Sequence, residues 1–143
     1  MENQMHSRNV IVDRLREFGI NPTHQRIEIA YALFSRQEHL SADQIMAAVN
    51  TKHSETSKAT VYNTLNLFVK KKLIREVIVD PSKVFYDPNT HVHHHFYNAE
   101  TGLLTDIDSD ELQLTGLPKL PDGMAVESID VIVRIYPSQH LNS

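Results

Sequence analysis

The chain has 143 residues, 41% of them hydrophobic, with a net charge of −4 and no cysteine. That length suits one ordinary domain or two small ones with real cores, and the missing thiols exclude disulfides, thiolate zinc clusters and thiolate haem ligation. The opening MENQMHSRNVIVDRL lacks the apolar run of a signal peptide, and no stretch is long and apolar enough to span a bilayer, so a cytoplasmic protein with no membrane partner is expected. The charge is unevenly spread. Residues 1–76 hold 11 Lys+Arg against 8 Asp+Glu (+3), and residues 77–143 hold 3 against 10 (−7), which suggests a basic module joined to an acidic one.

In chain order, the first half reads as helices. Ile11, Leu15 and Phe18 fall at i, i+4 and i+7, and Gly19 ends the run. Asn21-Pro22-Thr23 is a turn, and Thr23 caps a second helix with Ile27, Ala30, Tyr31 and Phe34 on one face. Ser41-Ala42-Asp43-Gln44 has the form of a capping box opening a third helix with Ile45, Met46 and Val49. A polar linker, Thr51 to Thr56, precedes Ser57, which caps a fourth helix burying Val61, Leu65 and Phe68. The period then changes. Ile74 to Val79 is rich in β-branched residues, Asp80-Pro81-Ser82-Lys83 is a turn, and Val84-Phe85-Tyr86 resumes an extended segment.

Helices followed by a hairpin make a winged helix-turn-helix, so the expected class is α+β: a winged-helix domain over 1–87 and a small α/β domain over 88–143. In the second part, His95 to Tyr97 and Leu103 to Ile107 flank a turn at Glu100-Thr101-Gly102. A short helix is expected from Ser109 to Leu114 and a strand from Ile129 to Tyr136. So few residues make a thin core, which pairing in a homodimer would complete.

The outer face of the fourth helix carries Lys58, Thr60, Tyr62 and Asn63. Asn can pair with adenine, Thr and Tyr can meet thymine methyls, and Lys58 can meet phosphate. A plain solvated face reads the same way, and the hairpin directly after the helix favours double-stranded DNA.

Gly19-x-x-x-Thr23-x-x-Arg26, His39-Leu40-Ser41-Ala42 and Ala59-Thr60-Val61-Tyr62-Asn63-Thr64-Leu65, in this order, resemble the ferric uptake regulator family. Asp80-x-Ser82-Lys83, Asp87-x-Asn89-Thr90, His93-His94-His95-Phe96 and the Ile129 to Arg134 tail look like its iron response regulator branch. The resemblance implies a dimeric repressor that binds an A/T-rich inverted-repeat operator, and it adds Arg26 to the DNA-contacting set. Asn98-Ala99-Glu100-Thr101 stands where many relatives begin a structural zinc site of four cysteines, so that site is absent.

Spacing alone puts His93 and His95 on one side of a strand and His94 on the other. Histidines with carboxylates form a mixed nitrogen and oxygen site suited to Fe(II), Mn(II) or Zn(II). The resemblance implies one such ion per subunit at His39, Asp87, His93, His95 and Asp106. Three of them have a duller use, His39 at a helix entry, Asp87 as a turn former before Pro88 and Asp106 on an acidic edge, and the His93–His95 pair alone stands out unaided. Two aspartates as carboxylates resemble peroxide-sensing relatives more than typical iron sensors. A second family site, where Val92, Gln113 and Val131 stand, retains only His94 and is expected to be missing. In the iron response regulator branch the triplet is associated with haem, which makes His93, His94 and His95 an alternative haem site. The rival class, a small mononuclear metalloenzyme on the same His/Asp set, lacks any catalytic helix motif, phosphate loop or nucleophile elbow.

Overall fold

A computed structural model describes residues 7–36, 38–50, 56–91 and 93–139. The chain divides into two compact units, Met1–Thr90 and His91–Ser143.

In the first unit, α1 (Arg8–Glu17) starts at Ser7, whose hydroxyl accepts from the Val10 amide, and buries Ile11 and Leu15. Its end closes through Gly19, at φ 73, with Ile20 N–H donating to the Leu15 carbonyl at 2.8 Å. Thr23 caps α2 (His24–Phe34) as the sequence predicts, accepting from the Arg26 amide. The buried face of α2 is Ile29, Ala30, Ala32 and Leu33, whereas Ile27, Tyr31 and Phe34 are only partly buried. The helix is apolar on more than one side, so periodicity alone placed the face about one residue off. Arg8 staples α1 to α2 through two bonds to Glu28, at 2.8 and 3.1 Å, and lies over the Tyr31 ring.

A two-residue strand, β1 (Leu40–Ser41), leads into α3 (Ala42–Asn50). The capping box forms: Gln44 N–H donates to Ser41 Oγ at 3.2 Å, and Ser41 N–H donates to Gln44 Oε1 at 2.9 Å. Of the linker expected from Thr51 to Thr56, residues 51–55 lie outside the described residues. Ser57 caps α4 (Lys58–Lys70), which buries Val61, Thr64, Leu65 and Phe68. Strands β2 (Arg75–Asp80) and β3 (Lys83–Asp87) form the hairpin, whose turn is held by Asp80 accepting from the Ser82 amide and hydroxyl. The sheet order is β1-β3-β2. One apolar cluster joins Ile11, Leu15, Ile29, Leu33, Ile45, Leu65 and Phe68.

In the second unit, β4 (His94–Asn98) is the central strand between β5 (Leu104–Ile107), antiparallel to it, and β6 (Ile132–Ile135), parallel to it. Burial alternates along β4, with His95 and Tyr97 inside beside Leu104 and Ile107. The helix expected from Ser109 to Leu114 is absent; the chain makes a turn at 109–111 and no regular structure follows until β6. Gly116, Pro118 and Pro121 interrupt that run before a helix gains length. The last strand is also shorter than Ile129–Tyr136, because only Ile132 to Ile135 continue the pairing with β4.

Candidate metal centre and nucleic-acid interface

The sheet of the first unit builds one pair of ligand-type side chains. β1 runs antiparallel to β3 with Leu40 opposite Tyr86 and Ser41 opposite Phe85. Continuing that register by one residue sets His39 opposite Asp87. Their side chains meet, His39 Nε2 to Asp87 Oδ2, at 3.3 Å, and both are buried. The other oxygen of Asp87 accepts the Asn89 amide at 2.9 Å, which fixes the carboxylate plane. On its far side, Asp87 stands opposite Arg75 of β2.

The second unit builds a triad. His93 and His95 lie on one side of the β4 segment with ring centroids 4.5 Å apart. Asp106 stands directly opposite His95 across the β4–β5 ladder. One of its oxygens, Oδ1, lies 3.0 Å from His93 Nε2 and 3.3 Å from His95 Nε2. His93 Nδ1 donates to the His91 carbonyl at 2.6 Å. A ring nitrogen tied to a backbone carbonyl in this way presents the other nitrogen outward, the usual arrangement of a metal-bound histidine. A lone pair on Nε2 facing a carboxylate is favourable only with a proton or a cation between them. His94 points the other way, and its Nδ1 accepts the Val131 amide at 3.0 Å.

These spacings suit a transition metal. Bonds of about 2.0–2.2 Å to nitrogen and oxygen, at tetrahedral or octahedral angles, set neighbouring ligand atoms roughly 2.8–3.6 Å apart. The His39–Asp87, His93–Asp106 and His95–Asp106 separations all fall in that range.

The DNA-facing candidates sit on α4, apart from Arg26. Lys58, Tyr62 and Asn63 are exposed and Thr60 is half-buried. The Lys58 ammonium lies 5.9 Å from the centre of the Tyr62 ring. Thr60 also serves the cap, its Oγ1 accepting from the Ser57 hydroxyl at 2.9 Å. Arg26, in the first turn of α2, donates to the Asn21 carbonyl at 2.9 Å, so part of its role is to brace the turn before that helix. Tyr86 was not singled out from the sequence. It is buried in β3, and burial, with smaller contributions from Glu76 and Tyr62, pushes its phenol up to about 12.

Known proteins resemble this chain in sequence and in fold. The model of the ferric uptake regulator family matches residues 17–133. A peroxide-responsive repressor of Staphylococcus epidermidis is 31% identical over 112 residues, covering 78% of this chain and 75% of that protein. The solved structure of a zinc-bound manganese uptake regulator superposes with a TM-score of 0.69 at 19% identity, covering 89% of this chain and 98% of that one. The ferric uptake regulator of Helicobacter pylori, whose structure is described as having three functional metal-binding sites, gives 0.67 at 18% identity, covering 99% of this chain and 98% of that one. The two-unit α+β architecture is that of these regulators, and the chain belongs to the ferric uptake regulator family.

Proposed function

We propose that the chain is a metal-responsive, DNA-binding transcriptional repressor, with DNA binding in residues 1–87 and metal binding and dimerisation in residues 88–143. His39, Asp87, His93, His95 and Asp106 are the ligands of one divalent transition metal ion per subunit, Fe(II) or Mn(II) in function and Zn(II) after purification in its presence. The observation that carries this reading is the spacing of the ligand atoms within each unit, 3.0–3.3 Å, around buried histidines that a surface cluster would leave exposed. Bound there, the metal supplies positive charge and directional bonds; the protein fixes which ring nitrogens face it.

α4 offers Thr60, Tyr62 and Asn63 to the bases of an A/T-rich inverted repeat, with Lys58 and Arg26 to phosphate. A second copy of the chain supplies the second half-site contact. Support for the homodimer comes from the second unit, where Leu114, Leu117, Leu120, Met124 and Val126 are all exposed and β6 is an edge strand. No helix among the described residues is long and apolar enough to cross a membrane, in keeping with a cytoplasmic regulator. The enzyme reading is set aside, because the family is one of regulators.

A peroxide-sensing role is the reading favoured among signals, because similar curated proteins include peroxide-responsive repressors and both carboxylate ligands are aspartates. The likeness to iron response regulators keeps haem as the alternative, at His93, His94 and His95. His94 spends Nδ1 on the Val131 amide, leaving only Nε2 for an axial bond. Anaerobic purification followed by metal analysis and an ultraviolet–visible spectrum tests the choice. One Fe or Mn per chain without a Soret band supports the metal reading. A stoichiometric Soret band that disappears in His94→Ala supports haem instead.

A further inference from the structure

We propose that metal bound by His39 and Asp87 acts on DNA affinity by pinning the short strand β1 to β3, and that Ser41 and Gln44 relay this restraint to α3. The inference rests on the metal reading above and names how that site regulates the helix-turn-helix. Strand β1 pairs with β3 through two residues, Leu40 and Ser41. Pairing that short has few backbone bonds to lose, so it opens locally at small free-energy cost. His39 and Asp87 extend the ladder by one further rung made of side chains, at 3.3 Å. A cation held by the His39 and Asp87 side chains would strengthen that rung and oppose the opening.

What β1 carries makes the pinning consequential. Ser41 is at once the last residue of β1 and the cap of α3. Its hydroxyl accepts the Gln44 amide, and its own amide donates to the Gln44 side chain. When β1 leaves β3, Ser41 moves and the reciprocal cap is lost, so the first turn of α3 frays. α3 packs on α4, the helix bearing Tyr62 and Asn63, and Ile45 and Val49 of α3 belong to the same apolar cluster as Val61 and Leu65 of α4. Asp87 also faces Arg75, the first residue of β2, five positions beyond the end of α4. One rung, His39–Asp87–Arg75, therefore joins the segment entering α3 to the segment leaving α4. Ser41 and Gln44 are positioning residues, outside the proposed ligand and DNA-contacting sets.

Hydrogen–deuterium exchange of the full chain, chelated or loaded with Mn(II), tests this. In the wild-type protein, Mn(II) should slow exchange at the Gln44 and Ile45 amides roughly tenfold. Gln44→Ala should bind Mn(II) with an affinity within about threefold of wild type, by titration calorimetry, yet lose that slowing. Gln44→Glu should restore it, because a carboxylate accepts the same bond. If Gln44 merely stabilised α3, the alanine variant would exchange faster at baseline but keep its response to Mn(II), and the relay would be refuted. Slowing confined to β3, with none in α3 of the wild type, would refute it as well. A wild-type chain that binds no Mn(II) would overturn the metal reading itself, and this inference with it.

Discussion

At the scale of single residues, Tyr86 and His94 give the sharpest tests. Burial and the nearby Glu76 raise the Tyr86 phenol from 10.0 to about 12. A raised acid contributes stability that is complete below its unfolded value and is lost as pH climbs through the folded one. Stability should therefore hold to about pH 10 and fall as pH approaches about 12. Tyr86→Phe should remove an ionisation step near pH 12 from the absorbance titration at about 295 nm; a titration curve unchanged at that end by the substitution would contradict the assignment. His94→Ala leaves the half-buried Val131 amide without its acceptor, a loss of about 1–3 kcal/mol in unfolding free energy, while Mn(II) affinity stays near wild type. Chemical denaturation alongside calorimetry separates the two effects. The alternation of His93, His94 and His95 was legible because strand side chains repeat every two residues. The anchoring role of His94 was not, because its partner lies 37 positions along the chain. The opposition of His39 and Asp87 likewise depends on a two-residue strand that leaves no periodic trace.

At the scale of elements, caps were more legible than faces. Ser41, Thr23 and Ser57 each cap the helix the sequence assigned to them, since a cap is a local bond between residues three apart. The buried side of α2 and the course of residues 108–131 depend on what packs against them, which local pattern does not encode. The exit from α4 offers a stability test. Lys72 adopts φ 65 where the chain turns, with Leu73 N–H donating to the Phe68 carbonyl at 3.0 Å. That left-handed conformation costs a lysine about 1–2 kcal/mol, and glycine adopts it freely. Lys72→Gly should therefore raise unfolding free energy by up to about 1 kcal/mol; an unchanged or lower value would show that the lysine side chain offsets the strain. On the outer face of α4, Tyr62→Ala should weaken operator binding by about 1–3 kcal/mol while leaving non-specific DNA affinity nearly unchanged. Equal losses on both, across a salt titration, would make Tyr62 a phosphate contact or a structural residue.

At the scale of the whole molecule, the described residues of the second unit bury little apolar surface: Tyr97, Leu104 and Ile107 are its buried apolar residues, whereas Leu117 and Met124 are 63% and 65% exposed. A second copy covering that surface accounts for the apolar residues left outside, so the chelated protein should sediment as a dimer at micromolar concentration; a monomer would count against it. The charge asymmetry, +2 over Met1–Thr90 (12 Lys+Arg against 10 Asp+Glu) and −6 over His91–Ser143 (2 against 8), favours phosphate at the first unit over the second. The change of period after Lys72 was legible, and it marks the passage from α4 to the β2–β3 hairpin inside the first unit; the extent of the second unit's regular structure was not. The central claim, that metal at the His/Asp ligands governs DNA binding, is tested most directly by operator binding of chelated protein as Mn(II) is restored. The wild type should change its operator affinity by at least about tenfold on Mn(II) addition, and Asp87→Ala and His93→Ala should not respond. Equal operator affinity of the wild type with and without Mn(II), or a full response from both variants, would contradict the account.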